Sequence, residues 1–168
     1  MRMKSAMSLL TLILFYNEAW ADPRDLSFYH THTGKSLTVV YHRDGDYLPD
    51  ALTQIENFLK DFRSGERHPI DPELLDVLYE LKTRTGAEKP FEVISAYRSP
   101  ATNTMLRNNS NGVAQGSLHL QGRAIDVRLP GVALARLREI ALQLERGGVG
   151  FYPGSDFIHV DTGRVRHW

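Results

Sequence analysis

Residues 117–126 read SLHLQGRAID and predict a loop that turns back into a strand. Gly122 suits such a turn, because a residue without a Cβ adopts conformations that other residues avoid. Residues 123–129 alternate polar or small residues with Ile, Val and Leu, which is the pattern of a half-buried strand. The turn therefore brings the imidazole of His119 towards the carboxylate of Asp126, seven residues further along the chain.

The segments on both sides of this turn predict one α+β domain. A length of 168 residues with 42% hydrophobic composition suffices for a single core, and no repeat or linker interrupts the chain. We expect helices mainly in the first half, packed on a central antiparallel sheet that the second half carries. The predicted strands are residues 26–29, 36–41, 91–95, 123–129, 149–151 and 157–160, and the predicted helices run from Pro49 towards Gly65, from the cap Asp71 to Gly86, and over 100–107 and 132–146.

Composition excludes several classes of function. Twenty basic residues balance twenty acidic ones, so no basic excess points to a nucleic-acid partner. The chain has no cysteine, which excludes disulfides, a thiol nucleophile and a thiolate zinc site. Any metal must therefore be held by His, Asp or Glu side chains.

The N-terminus has the order of regions found in an export signal. Arg2 and Lys4 are followed by an almost unbroken apolar run over residues 7–16, and Ala19-Trp20-Ala21 offers a small-x-small cleavage pattern. We predict a signal peptide over residues 1–21 and a catalytic domain over 22–168. The alternative is an uncleaved membrane anchor, although the apolar run is shorter than the roughly twenty residues that a spanning helix needs.

The segment DFIHVD at residues 156–161 supplies a third metal ligand. Two imidazoles and a carboxylate, with water in the fourth position, are a ligand set of catalytic zinc sites. We therefore expect one Zn²⁺ per chain, held by His119, Asp126 and His159. Asp161 shares a strand face with His159 and is expected either to orient an imidazole or to be a surface carboxylate.

A zinc hydrolase also needs a proton acceptor and a positive charge beside the reacting carbonyl. Asp156, three residues before His159, is predicted to act as general base. Arg98, in the segment SAYRS at 95–99, is predicted to stabilise the oxyanion. Taken alone, His119 and Asp126 are also compatible with a loop cap and a surface ion pair, since both residue types are common at protein surfaces.

Other polar and aromatic residues allow two interpretations. Arg164 and Arg166 either receive substrate carboxylates or lie in a solvated tail. The aromatic residues Tyr97, Tyr152 and Trp168 either line a substrate groove or, as we prefer, pack in the core or at its edge; Tyr97 is kept as a candidate substrate contact. Four of the other five histidines are expected at the surface or behind the ligands: His30, His32, His42 and His68.

Together these motifs resemble the zinc D-alanyl-D-alanine peptidases, a superfamily that includes lysostaphin-type peptidases and the hedgehog signalling domain. The resemblance rests on SxHxxGxAxD at 117–126, YRS at 97–99 and DxxH at 156–159. More narrowly, nearly all of the chain after residue 21 is similar to the murein endopeptidase K family. Its further motifs are HTG at 32–34, DFR at 61–63 and the ending HVDTGRVRHW at 159–168.

The resemblance implies a hedgehog-like and D-Ala-D-Ala-peptidase-like fold and the same assignment of ligands, base and oxyanion residue. It also implies that Ser117, beside a ligand, contacts substrate. Many relatives have glutamate where Asp156 stands, and aspartate is one methylene shorter. The activity implied is a periplasmic zinc endopeptidase that cleaves diaminopimelate–diaminopimelate cross-links between peptidoglycan stem peptides. Two alternatives stay open: a carboxypeptidase that releases terminal D-alanine, and a cell-wall-binding domain without hydrolysis.

Overall fold

The computed structural model describes residues 23–109 and 114–168 of the chain. The predicted signal peptide at residues 1–21 lies outside the described residues. Within the described part, no helix combines the length and the apolar character that crossing a membrane requires.

The described residues form eight strands and four α-helices. In chain order they are β1 Arg24–His30, β2 Ser36–Arg43, β3 Asp46–Tyr47, α1 Pro49–Phe58, α2 Pro72–Thr85, β4 Phe91–Ser95, α3 Pro100–Asn109, β5 Ala124–Arg128, α4 Leu134–Leu144, β6 Gly148–Tyr152, β7 Phe157–Asp161 and β8 Arg166–His167. Short 3₁₀ turns cover Leu118–Gln121 and Pro153–Ser155.

All eight described strands belong to one sheet, in the order β3-β2-β1-β4-β5-β7-β6-β8. Most neighbours are antiparallel, but β1 pairs with β4 and β6 pairs with β8 in parallel. The predicted single α+β domain is confirmed. The expectation that the sheet belongs to the second half is wrong, because the N-terminal hairpin extends the same sheet through the β1–β4 pairing.

Helix α2 shows how local sequence signals place a helix against the sheet. The Oδ1 atom of Asp71 accepts a hydrogen bond from the backbone N–H of Glu73 (3.0 Å), and Gly86 ends the helix with φ of +66°. Leu74 and Leu78 are fully buried, and the helix contacts β1 and α4. Burying such a leucine side chain contributes on the order of 2 kcal/mol.

Helix α1 ends at Phe58, earlier than its apolar spacing predicts. One oxygen of the buried Asp61 carboxylate accepts hydrogen bonds from the backbone N–H groups of Arg63 (2.9 Å) and Ser64 (3.4 Å). A side chain that satisfies the backbone two and three residues ahead favours a turn over a continued helix. Phe62 therefore lies in a loop and not on the helix.

Strand β5 is buried on both faces, although its alternation predicts a half-buried strand. The sequence pattern reports the polarity of side chains and not what covers them. Here the 3₁₀ turn Leu118–Gln121 contacts the strand, and the face that carries Asp126 is enclosed. A buried carboxylate needs partners that offset the loss of water.

Candidate metal centre

Two adjacent strands and one tight turn bring the predicted metal ligands together. Asp126 on β5 lies directly opposite His159 on β7 in the antiparallel register. His119 lies in the 3₁₀ turn, which Gly122 ends with φ of +65°. The backbone N–H of Arg98 donates to the carbonyl oxygen of His119 (3.1 Å) and ties this turn to the segment after β4.

The three candidate ligand atoms are almost equidistant. Nε2 of His119 lies 3.2 Å from Nδ1 of His159 and 3.2 Å from Oδ1 of Asp126, and the latter two atoms are 2.9 Å apart. A tetrahedral zinc ion with bonds of about 2.0–2.1 Å holds its ligand atoms roughly 3.3 Å from each other. These buried residues can therefore hold a metal ion, and their spacing and donor types suit zinc.

Each of the two candidate ligand histidines forms a hydrogen bond through the ring nitrogen that faces away from the metal position. Nδ1 of His119 lies 2.6 Å from the carbonyl oxygen of Ala96, and Nε2 of His159 lies 2.8 Å from Oδ2 of Asp161. A carbonyl and a carboxylate only accept hydrogen bonds, so these nitrogens carry the protons. When each ring is neutral, its other nitrogen, which faces Asp126, is unprotonated, and this is the arrangement that metal binding requires.

The charges of the cluster depend on each other. Burial lowers the pKa of His119 and keeps its imidazole neutral. Burial alone would raise the pKa of Asp126, but its contacts with His119 and His159 lower it well below the usual range. For His159, hydrogen bonds to Asp126 and Asp161 outweigh burial and raise the pKa. Since a ligand must bind in its deprotonated form, metal binding displaces a proton from His159.

Asp161 is held by donors on every side. Its Oδ1 atom accepts from the backbone N–H groups of Gly148 and Gly163 (both 2.9 Å) and from Nη1 of Arg166 (3.0 Å). Its Oδ2 atom accepts from Nη2 of Arg166 (2.7 Å) and from His159. The contact with His159 that the shared strand face predicts is therefore present, within a network of five hydrogen bonds.

Arg98 lies beside the cluster with unused hydrogen-bonding capacity. The side chain is 10% exposed, and Nη2 is 3.7 Å from Oδ2 of Asp126. Its Nε atom is buried and has no hydrogen-bond partner among the described residues. A guanidinium with a free buried donor in this position can bind an oxygen that develops negative charge.

A cavity of about 620 Å³ opens next to the three ligand candidates. Ser117 and Arg98 line it, and their contacts with substrate stay predictions. Tyr97 does not line it: it is buried in the hydrophobic core and stacks on His68, with ring centroids 5.0 Å apart. In this structure Tyr97 therefore packs as the alternative interpretation expects, and a contact with substrate stays a prediction.

Asp156 lies outside the cavity wall, contrary to the expectation that it faces the metal position. Its side chain is 65% exposed, and Oδ2 is 3.3 Å from Nη1 of Arg128. Asp156 precedes β7 and has φ of +53°, while residues two apart on that strand share the face of His159. A residue three positions away is not on that face, so the spacing alone cannot direct this carboxylate to the metal. Its role as general base stays a prediction.

The C-terminal segment forms part of the cavity wall. Trp168 donates its backbone N–H to Val149 (3.2 Å), and its ring centroid is 5.2 Å from that of His159. Its indole Nε1 donates to the hydroxyl of Tyr152 (2.7 Å), and both rings line the cavity. Tyr152 and Trp168 therefore pack against neighbouring residues, as preferred, and also line the cavity. For Arg166 the alternative of a solvated tail is wrong, because this residue lies in β8 and binds Asp161.

Among the histidines and charged residues that line the cavity, the sequence interpretation misses His32 and Arg63. Both belong to motifs quoted for the resemblance, HTG and DFR, which was the available signal. The surface expectation is also wrong for His30 and His42, which are buried. His32 and Arg63 lie far from the candidate ligands along the chain, so the spacing of residues in the sequence does not connect them to the site.

Comparison with known proteins identifies the family of this chain. A family model described as peptidoglycan L,D-endopeptidase MepK matches residues 18–168. The peptidoglycan L,D-endopeptidase MepK of Escherichia coli (strain K12) is 42% identical over 146 residues, which cover 87% of this chain and 80% of the relative. The probable peptidoglycan L,D-endopeptidase MepK of Haemophilus influenzae is 42% identical over 147 residues, covering 87% and 79%. This chain therefore belongs to the family of the peptidoglycan L,D-endopeptidase MepK.

Proposed function

We propose that this chain is a zinc-dependent endopeptidase that hydrolyses peptide cross-links of peptidoglycan. The observation that carries the proposal is the triangle of His119, Asp126 and His159 beside an open cavity. The names of the relatives support peptidoglycan as the substrate and an L,D bond as the one cleaved. More narrowly, we propose that the bond cleaved is the amide between two diaminopimelate residues of neighbouring stem peptides.

The proposed mechanism assigns a separate task to each group in the cavity. Zinc held by the three ligands would polarise the scissile carbonyl and lower the pKa of water to about 7. Arg98 donates hydrogen bonds to the carbonyl oxygen as negative charge develops there. Ser117 is proposed to bind the peptide next to the ligands; its hydroxyl also accepts from the backbone N–H of His119 (3.4 Å).

The proposed general base, Asp156, must turn away from Arg128 to reach the reacting water. The neighbouring residues Ser155 and Phe157 line the cavity, so the backbone at this point already borders it. An exposed carboxylate pairs only weakly with an arginine, by about 1 kcal/mol or less, and substrate binding can replace that pair. Proton transfer by a positioned carboxylate contributes on the order of a hundred- to ten-thousand-fold to the rate.

We further propose that the protein acts in the periplasm after export through residues 1–21. Peptidoglycan lies outside the cytoplasm, and the charged, apolar and cleavable regions of the N-terminus support export. The proposed partner is the stem peptide of the cell wall; the balanced charge of the chain does not favour nucleic acid.

The experiment is hydrolysis of defined cross-linked muropeptides, followed by mass spectrometry of the products. We expect the zinc-loaded protein to split a diaminopimelate-linked dimer into monomers. A chelator should abolish the reaction, added zinc should restore it, and His119→Ala should be inactive. Release of free D-alanine from monomers would favour a carboxypeptidase. Zinc binding and wall affinity without turnover would indicate a binding domain.

A further inference from the structure

The cavity wall carries three arginines, and they differ in what their side chains contact. Arg166 is bound to Asp161, and Arg98 faces Asp126 at 3.7 Å. Arg63 makes no ion pair and no side-chain hydrogen bond with any residue in the described ranges 23–109 and 114–168. Its guanidinium therefore lines the cavity with its donors available.

The structure positions Arg63 before any ligand is bound. The guanidinium carbon lies 4.1 Å from the centroid of the Phe62 ring. The same ring stacks on His32, with centroids 4.3 Å apart and an interplanar angle of 13°. An arginine that stacks on an aromatic face keeps its planar fork of N–H donors directed sideways, where it suits a carboxylate.

One buried carboxylate links this loop to the segment of Arg98. Asp61 is 1% exposed; its Oδ1 accepts from the backbone N–H of Arg63, and its Oδ2 accepts from that of Ser99 (both 2.9 Å). Burial lowers the pKa of the Arg98 guanidinium; Asp126 acts against this shift, and the positive charge of Arg63 adds to it. Both arginines line the cavity, and an anionic ligand that they share would relieve their repulsion.

The charge of the wall favours an anion. Asp126 is the single acidic side chain among the described residues that line the cavity, and it is engaged as a ligand candidate. Since Arg166 is paired with Asp161 and Arg98 faces Asp126, the charge of Arg63 is the positive charge of this wall that no described carboxylate balances. A guanidinium group binds a carboxylate through two parallel, charge-assisted hydrogen bonds. Most of this binding energy is lost when the carboxylate is replaced by an amide, which has no charge and one acceptor oxygen.

We propose that Arg63 binds a free carboxylate on the residue next to the scissile amide. This inference rests on the proposed function. Diaminopimelate has two amino and two carboxyl groups, so the carbon that supplies the cross-linked nitrogen also bears a carboxylate. Arg63 is then the residue that distinguishes a free carboxylate from an amidated one, while Arg98 serves the reacting carbonyl.

The test compares two cross-linked dimers that differ only in whether this carboxylate is free or amidated. For the zinc-loaded protein we expect kcat/KM to be about ten- to a hundred-fold higher on the free form, which is the range for a charged hydrogen bond. Arg63→Gln should lower kcat/KM on the free form to the amidated level, mainly through KM. Arg63→Lys, which keeps the charge but not the fork, should retain part of the preference.

Arg67→Gln is the matched control. Arg67 lies in the same loop and is also exposed, but its Nη1 donates to Asn57 (3.0 Å) and it does not line the cavity. This variant should keep the wild-type preference. An Arg63→Gln protein that still discriminates between the dimers as the wild type does would overturn the proposal.

Binding without turnover separates this inference from the proposed function. Calorimetry with the uncleaved dimers on His119→Ala should show tighter binding of the free form, and His119→Ala with Arg63→Gln should lose that difference. One outcome is that the wild type cleaves neither dimer while the preference for binding the free form still depends on Arg63. In that case the proposed hydrolysis is wrong, and the proposed carboxylate site at Arg63 stands. If His119→Ala binds both dimers equally or neither, the carboxylate site is wrong.

Discussion

Replacing Asp161 by asparagine should weaken zinc binding by about a hundred-fold. Asp161 does not belong to the ligand triangle, and the substitution keeps the size of the side chain. Its effect would arise through His159, whose Nε2 proton is held by Oδ2 of Asp161 at 2.8 Å. This hydrogen bond leaves Nδ1 of His159 free to bind a metal.

An asparagine amide cannot satisfy the donors that surround this position. If its NH₂ group takes the place of Oδ1, it faces the N–H groups of Gly148 and Gly163 and one arm of Arg166. If it takes the place of Oδ2, it faces His159 and the other arm of Arg166. In that second orientation the amide donates to Nε2 of His159 and moves the ring proton to Nδ1, the nitrogen that must bind zinc.

The magnitude follows from these two orientations. Loss of an outer partner of a ligand histidine typically costs ten- to a hundred-fold in metal affinity, or about 1.4–2.7 kcal/mol. We expect the upper part of this range, because one orientation selects the wrong tautomer. The free energy of unfolding should also fall by about 1–3 kcal/mol, since a buried donor loses its acceptor.

The assay is zinc titration of metal-free protein in competition with a chromogenic chelator, near neutral pH. Circular dichroism of each sample establishes that the protein is folded. Arg166→Gln is the control: it removes one partner of Asp161 but leaves the contact with His159, so its zinc affinity should fall less than tenfold. A folded Asp161→Asn protein with wild-type zinc affinity would refute the role assigned to this hydrogen bond.

Four further predictions concern the base, the pH dependence and the fold. Asp156→Asn should lower kcat at least about a hundred-fold at unchanged zinc content; a fall below tenfold would assign proton transfer to another group. Burial lowers the pKa of His159, but hydrogen bonds to Asp126 and Asp161 outweigh it and raise this pKa. Zinc affinity should therefore decrease as the pH falls through the pKa of His159, since a proton then competes with the metal. A zinc affinity that does not change with pH in chelator competition would contradict this prediction. Burial would raise the pKa of Asp61, but its hydrogen bonds lower this pKa from 3.8 to about 2 in the folded protein. At pH values above the unfolded pKa, Asp61→Asn should therefore lower the free energy of unfolding in urea by about 2 kcal/mol, and this difference should disappear as the pH falls towards the pKa of the folded state. A difference that does not change with pH would exclude the charge of Asp61 as its cause. Gly122→Ala should lower the melting temperature, since at φ of +65° its Cβ would lie 2.0 Å from the carbonyl oxygen of Pro69; unchanged melting would show that the turn can relax.

The sequence predicts elements well where neighbouring residues control them. The strand Phe91–Ser95 has the predicted bounds, and α2 begins and ends at the predicted capping residues. Capping and apolar spacing act within one or two helical turns, so they can be recognised without knowing the fold. The early end of α1 is also local, but the turn around Asp61 competes with an apolar spacing that suggests more helix.

The chemistry of the candidate site is likewise present in the sequence. Without cysteine, a metal site must use His and carboxylate ligands, and the motif at 117–126 names two of them. The third, His159, is a prediction from its strand position. The structure brings all three within 3.2 Å through the pairing of Asp126 with His159, a register that depends on the whole sheet.

What the amino-acid order alone determined is the set of local elements and the kinds of side chains available for chemistry. Only the tertiary structure decided that the N-terminal hairpin joins the same sheet, that Asp156 points to Arg128, and that Arg63 comes to lie on the cavity wall near Arg98. The physical reason is that helix caps and strand alternation depend on neighbours a few residues away. Strand partners and the directions of loop side chains depend instead on contacts between distant segments, whose closure and burial are settled by the packing of the complete core.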